Sequence, residues 1–185
     1  MKVFIVGIHH KHQFGPCKTF PPAEQACDAF AAYLREQCLS HGIRTLAEEM
    51  SADARQKSGI FQTVPDCVAI KLGIAHVDCE PDIAEQACLG IKNEGDVKLE
   101  SWFNDHPEHV VAENIRHMRD KREYEWVRRL SLLKDFPVLL VCGCAHSKSF
   151  ADKIDAQGIK AQILAEEWEP STVRIRGENP RGHII

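Results

Sequence analysis

The chain has 185 residues, enough for one well-buried domain and short for two. A hydrophobic share of 44%, a charged share of 27% and a formal charge of −4 describe a globular protein without a global basic field, so nucleic acid is not an expected partner. A local group of arginines can still receive an anionic substrate. No run approaches the length of a membrane span. The apolar start at 3–8 is too short for a signal peptide and leads into His9-His10-Lys11-His12, so the expectation is a cytoplasmic protein with no membrane contact. Eight cysteines are scattered without a C-x-x-C pair, which favours reduced thiols over disulfides and excludes a paired thiolate zinc site.

An unbroken apolar run at 3–8 predicts a strand buried on both faces. Residues 9–21 read as a long irregular loop, and such loops are more often functional than idle. Residues 23–41 predict a helix with Ala26, Phe30, Tyr33, Leu34 and Cys38 on one face, stopped by Gly42. A short strand at 43–47 runs straight into Glu48-Glu49. Ser51 caps an expected helix at 52–61, and a further helix at 66–72 ends at Gly73. A strand at 74–79 and a short helix at 82–89 follow, and 90–104 reads mostly as loop. Asp105-His106-Pro107-Glu108 has the form of a helix start with Asp105 as N-cap, and the helix it opens is the longest, to about residue 134. Residues 137–142 predict a second continuous apolar strand, 147–157 a helix and 159–164 a last strand. This alternation implies an α/β fold, an open, mainly parallel sheet with helices on both faces, forming a single domain over 1–167 with an extension or tail at 168–185.

Open parallel sheets bind ligands at the carboxyl ends of their strands. There the predicted strands deliver Gly7-Ile8-His9-His10, then Glu48-Glu49, then Asp78-Cys79-Glu80, then Gly143-Cys144-Ala145-His146. Histidines and carboxylates far apart in sequence thus converge on one edge. G-x-x-H ends both of the most apolar strands, where glycine is expected to turn the backbone with positive φ. A third copy, Gly73-Ile74-Ala75-His76, begins its strand, so His76 reads as structural. On the long helix, Val111, Ile115, Met118, Trp126, Leu130 and Leu133 trace an apolar stripe, and Arg122 falls on it. An inward arginine needs a carboxylate or anion to meet it, although a snorkelling stem with a wet guanidinium is the competing reading. Arg116, Arg119, Arg128 and Arg129 are expected on solvated faces.

These pieces together resemble the TraB/Tiki superfamily, which includes erythromycin-esterase-like and ChaN-like haem-binding proteins. The matching segments are Gly7-Ile8-His9-His10, Leu46-Ala47-Glu48-Glu49-Met50, Arg122-Glu123-Tyr124-Glu125-Trp126 and Val141-Cys142-Gly143-Cys144-Ala145-His146, in that order along most of the chain. The resemblance lies in motif order, and the membrane segments and insertions of many members are lacking. It implies His10, Glu49, Arg122 and His146 as the catalytic site, with Glu48 the rival for the acid.

Two imidazoles and a carboxylate can hold a divalent metal, which makes His10, Glu49 and His146 the metal-ligand candidates. The same groups can work without metal: Glu49 fixes a histidine tautomer, that histidine activates water and Arg122 meets the oxyanion. The functional expectation is a hydrolase-like enzyme acting on an ester, amide or related bond of a small molecule or peptide. The competing class is a non-catalytic module holding metal or haem, or a degenerate interaction domain. Homo-oligomerisation stays open. Cys142 and Cys144 near His146 suggest a thiol nucleophile but read better as buried strand-end thiols. His106 and His109 read as solvated. His9 and His12 either assist His10 or form an exposed cluster, and Asp78 is a supporting acid or a turn residue.

Overall fold

A computed structural model describes residues 1–13 and 24–170. The expected loop at 9–21 from residue 14 on, Cys17, and the expected extension at 168–185 from residue 171 on lie outside the described residues. Among the described residues five strands are present: β1 (Lys2–Ile8), β2 (Thr45–Glu48), β3 (Ala75–Asp78), β4 (Val138–Gly143) and β5 (Lys160–Trp168). They form one all-parallel sheet in the order β3-β2-β4-β1-β5, the α/β architecture the alternation predicts.

The pleat sends alternate side chains to opposite faces, and each face builds its own core. Phe4, Val6, Ile8, Leu46, Leu139 and Val141 pack against α2 (Glu24–Ser40) and α4 (Val64–Leu72). Val3, Ile5, Ala47, Val138, Leu140 and Cys142 pack against α7 (Glu108–Ser131) and α8 (Ser147–Ala156). Each strand residue buried here removes a full aliphatic or aromatic side chain from water, worth about 1.5–3 kcal/mol.

Between these lie the single turn α1 (His10–Gln13), α3 (Ala52–Ser58), α5 (Ile83–Leu89) and α6 (Glu94–Phe103). Ser51 caps α3 by accepting from the Ala54 N–H, as its position before the helix predicts.

Three expectations need correction. Residues 90–104 are not mostly loop but carry α6, capped by Asn93. Its apolar residues do not share a face: Val97 is buried while Leu99, Trp102 and Phe103 are exposed, so no helical stripe marks it. Asp105 is not an N-cap; it has φ +50, and α7 starts after Pro107 without a side-chain cap. The last strand does not stop at 164. Register shifts against Ile5, Val6 and Ile8 carry it on to Trp168, which is buried against Phe30 and Tyr33 and so belongs to the sheet.

The topology creates a crevice. β1 and β4 are neighbours, yet the chain leaves β1 towards α2 on one face and leaves β4 towards α8 on the other. Adjacent strands whose connections diverge define a switch point, the place where open α/β sheets take ligands.

The glycines of the two G-x-x-H motifs do not have the positive φ expected of them; Gly7 is required for space, and Gly143 leaves room for the His10 ring. A Cβ on Gly7 would lie 2.0 Å from the backbone oxygen of Glu166 in β5, and one on Gly143 would lie 3.0 Å from His10 Nε2. Gly7→Ala should therefore force β5 away from β1. It is expected to lower unfolding free energy by about 1–3 kcal/mol in urea titrations. Wild-type stability in this variant would refute the close approach.

Candidate functional site

His10, Glu49 and His146 follow strand ends, and Arg122 comes from helix α7. β1 passes through His9 into α1, which presents His10. β4 passes into a 3-10 turn, Cys144–His146, which presents His146 and leads into α8. The Glu49 N–H donates to the Val141 carbonyl at 2.8 Å and prolongs the β2–β4 pairing by one residue. Successive residues then face opposite ways, and this separates the two glutamates. Glu49 turns into the crevice. Glu48 is wholly buried away from it, accepting from Arg55 Nη2 (2.9 Å), from Thr63 and from Gln13 Nε2 (2.8 Å), with His76 Nε2 at 2.7 Å. The rivalry between them resolves geometrically in favour of Glu49 as the residue facing both histidines.

Glu49 is nearly buried, and both its oxygens are held. Oε2 accepts from the Gly143 N–H at 2.7 Å and Oε1 from Arg122 Nη2 at 2.7 Å. His146 Nε2 lies 3.7 Å and His10 Nε2 3.9 Å from that same Oε1. The other three expected site residues therefore surround one carboxylate oxygen of Glu49.

Arg122 does face inward. It meets two acids, Glu49 and Glu80, the latter through Nε at 2.9 Å, and lies over the Trp126 ring at 5.5 Å. Burial would lower the guanidinium pKa, but the flanking Glu80 and Glu49 charges outweigh it and raise it. Nη1 makes no hydrogen bond among the described residues. Glu80 is held further by Trp126 Nε1 (2.8 Å) and Gln86 Nε2 (3.0 Å), yet burial, the largest influence, leaves its carboxyl above the usual range.

The tautomers follow from the hydrogen bonds around each ring. Gln13 donates its amide to Glu48 Oε2 and to the Glu49 carbonyl, which fixes Oε1 towards His10 Nδ1 at 3.0 Å. That oxygen can only accept, so the His10 proton sits on Nδ1. His146 Nδ1 lies 2.6 Å from Glu123 Oε1, and the proton again belongs on Nδ1. The His146 ring thus directs an Nε2 lone pair at the crevice, and His10 Nε2 lies beside it, 3.9 Å from Glu49 Oε1. Glu123 is wholly buried, which would push its carboxyl up; hydrogen bonds from His146, Lys153 and Ser149 outweigh this and hold it below the ordinary range.

Sequence reasoning missed Glu80, Glu123 and Gln13 as parts of the site. Glu80 stands after the same strand as Asp78, but Asp78 pairs with Arg55 instead of facing the crevice. Glu123 follows Arg122, but only the packing of α7 on α8 shows that it reaches His146. Two arginines expected on solvated faces are elsewhere: Arg129 is only 20% exposed and pairs with Glu85 and Glu125, and Arg119 lines the crevice. His106 and His109 are exposed, as expected. Cys142 is fully buried and its thiol pushed well up, which leaves it inert as a nucleophile.

Around these groups the crevice opens into two chambers that share His10 and Arg122. One, of about 240 Å³, is lined by His146, Gly143, Ile115, Met118 and Arg119. The other, of about 730 Å³, is lined by Glu49, Met50, Ala54, Ile83, Ala87 and Ile91.

By donor type His10, Glu49 and His146 suit a borderline divalent ion. Their arrangement does not close around one. Both Glu49 oxygens already accept protein donors, and a cation drawn to Oε1 would sit beside the guanidinium of Arg122. Among the described residues, the donor sets that come within 4.8 Å of one another are His9, Cys144 and Glu167, and Glu48, His76 and Asp78. The second of these surrounds Arg55, whose guanidinium already supplies its positive charge.

No protein-family model, curated protein or solved structure matches this chain. No helix among the described residues is long and apolar enough to cross a membrane.

Proposed function

We propose that the protein is a hydrolase of the TraB/Tiki type that cleaves an ester, amide or related bond with histidine as general base. The observation that carries this reading is His146, held by the buried Glu123 carboxylate with its Nε2 facing the crevice beside a fixed arginine.

His146 is the better base because it is oriented by a buried carboxylate; the Glu123–His146 pair is a two-member relay of the kind that holds an imidazole in one tautomer. His146 Nε2 takes a proton from water as the oxygen attacks the carbonyl carbon. The developing oxyanion falls to Arg122, whose Nη1 is the donor not engaged by Glu49 or Glu80. When the tetrahedral intermediate collapses, the imidazolium returns its proton to the departing alcohol or amine, and an acid remains. Glu49 aligns Arg122 and faces both rings. Two chambers meeting at His10 and Arg122 give the acyl and leaving portions separate places.

Turnover on a panel of ester, amide and phosphoester substrates tests this reading. Hydrolysis of at least one class, unchanged by chelator and lost in His10→Ala and in His146→Ala, is the expected result. Turnover restored only by added divalent ion would replace the histidine base with metal-activated water. Absence of turnover together with an ion-induced thermal stabilisation that is lost in the double variant His10→Ala with His146→Ala would favour a binding module.

A further inference from the structure

Three adjacent strands, β4, β1 and β5, each deliver one more metal-binding side chain just outside the histidine–arginine centre. They are Cys144 from β4, His9 from β1 and Glu167 from β5, and their donor atoms all lie within 4.8 Å of one another. His9 Nε2 is 2.9 Å from Glu167 Oε1 and 3.4 Å from Glu169 Oε1. Lys148, the nearby cation, is taken by Glu166 and leaves Glu167 to His9.

A second observation comes from the next turn of chain. His12 is 5% exposed, and neither of its ring nitrogens has a hydrogen-bond partner among the described residues. Its Nε2 lies 3.7 Å from Glu169 Oε2, with the ring edge-on to Trp168. A buried imidazole without a hydrogen bond, set against a carboxylate that also neighbours His9, is what an unfilled polar site looks like.

We infer that His9, Cys144 and Glu167 form a binding site for a zinc-class divalent cation at the mouth of the crevice, with Glu169 and His12 beside it. One nitrogen, one thiolate and one or two carboxylate oxygens are the donors a borderline ion prefers over magnesium or calcium. Bonds of about 2.0–2.3 Å require donors roughly 3.3–3.8 Å apart, so His9 and Glu167, now at 2.9 Å, must part slightly while any separation near the 4.8 Å limit shortens by about 1 Å. His9 and Glu167 are both about half exposed and can make that adjustment by side-chain rotation. Binding displaces the Cys144 thiol proton to solvent, and thiolate and carboxylate then balance the ion. The same cation would tie the end of β5 to β1 and β4 at the rim of the 240 Å³ chamber, which His9 and Cys144 both line. This site is separate from the hydrolytic centre and stands whether or not that centre turns over.

Cobalt is the probe, added to the purified full chain, with zinc as competitor. One ion should bind per chain with a thiolate-to-cobalt charge-transfer band, lost in Cys144→Ser. Zinc affinity should fall at least tenfold in His9→Ala and in Glu167→Gln, while the double variant His10→Ala with His146→Ala keeps the band. Circular dichroism checks that each variant is folded, and Glu167→Gln serves should Cys144→Ser fail to fold. A band that survives Cys144→Ser, a band lost in the double variant but kept in His9→Ala, or no cobalt uptake at all would overturn the assignment.

Discussion

His146→Ala is expected to lower kcat by about 10²–10⁴-fold on whichever substrate class is turned over, the usual worth of a positioned general base. The fold should survive, because the buried Glu123 carboxylate keeps Lys153 and Ser149 as donors when the imidazole is removed. Lys153 in turn retains Asp120. Thermal melting should therefore change little while steady-state rates collapse. Glu123→Gln should give a smaller loss in kcat with KM unchanged, since it orients the base and touches no substrate. An unchanged kcat in His146→Ala would move the base elsewhere and remove the centre of the proposed mechanism.

Arg122→Met is the substitution expected to cost most stability, about 3 kcal/mol at neutral pH, the lower end for removing one partner of a buried ion pair. The methionine keeps the packing over Trp126 but leaves Glu49 and Glu80 facing each other without the cation between them. Glu80 already has a carboxyl pKa above its ordinary value, through burial, and loss of Arg122 raises it further. A carboxyl raised in the folded state destabilises at high pH, and the penalty disappears as pH falls through the raised value, because the folded state then binds the extra proton. The gap between wild type and variant in urea unfolding should therefore be widest near pH 8 and narrow steadily towards the ordinary carboxylate range. A gap independent of pH would mean that the arginine contributes packing alone.

Much of this arrangement was legible in the sequence because parallel sheets follow simple rules. The two continuous apolar runs ending in G-x-x-H became the adjacent strands β1 and β4, and listing what each strand delivers at its carboxyl end was enough to collect His10, Glu49 and His146. Arg122 was legible from a single break in an apolar stripe. Strand order was not, and with it the divergence of α2 and α8 that makes the crevice. Glu80 and Glu123 could not be singled out because their partners, Arg122 and His146, lie 42 and 23 residues away, at separations no local pattern encodes. Helix α6 escaped because exposed Trp102 and Phe103 obscure any amphipathic period. The positive φ expected at Gly7 and Gly143 failed for a related reason: what demands glycine there is a neighbour's oxygen or imidazole, brought in by tertiary packing.

Helices α3 and α5 bury no residue of their own, yet Ala54, Ile83 and Ala87 from them wall the larger chamber. The two histidines of the proposed centre, by contrast, follow β1 and β4, which have strands on both sides and contribute to both cores. Under the proposed function, chemistry and selectivity would thus stand on separate supports, one within the sheet and one in helices that bury no residue of their own. A protein divided in this way could exchange the shape of what it accepts, one wall residue at a time, while the proposed centre stays as it is.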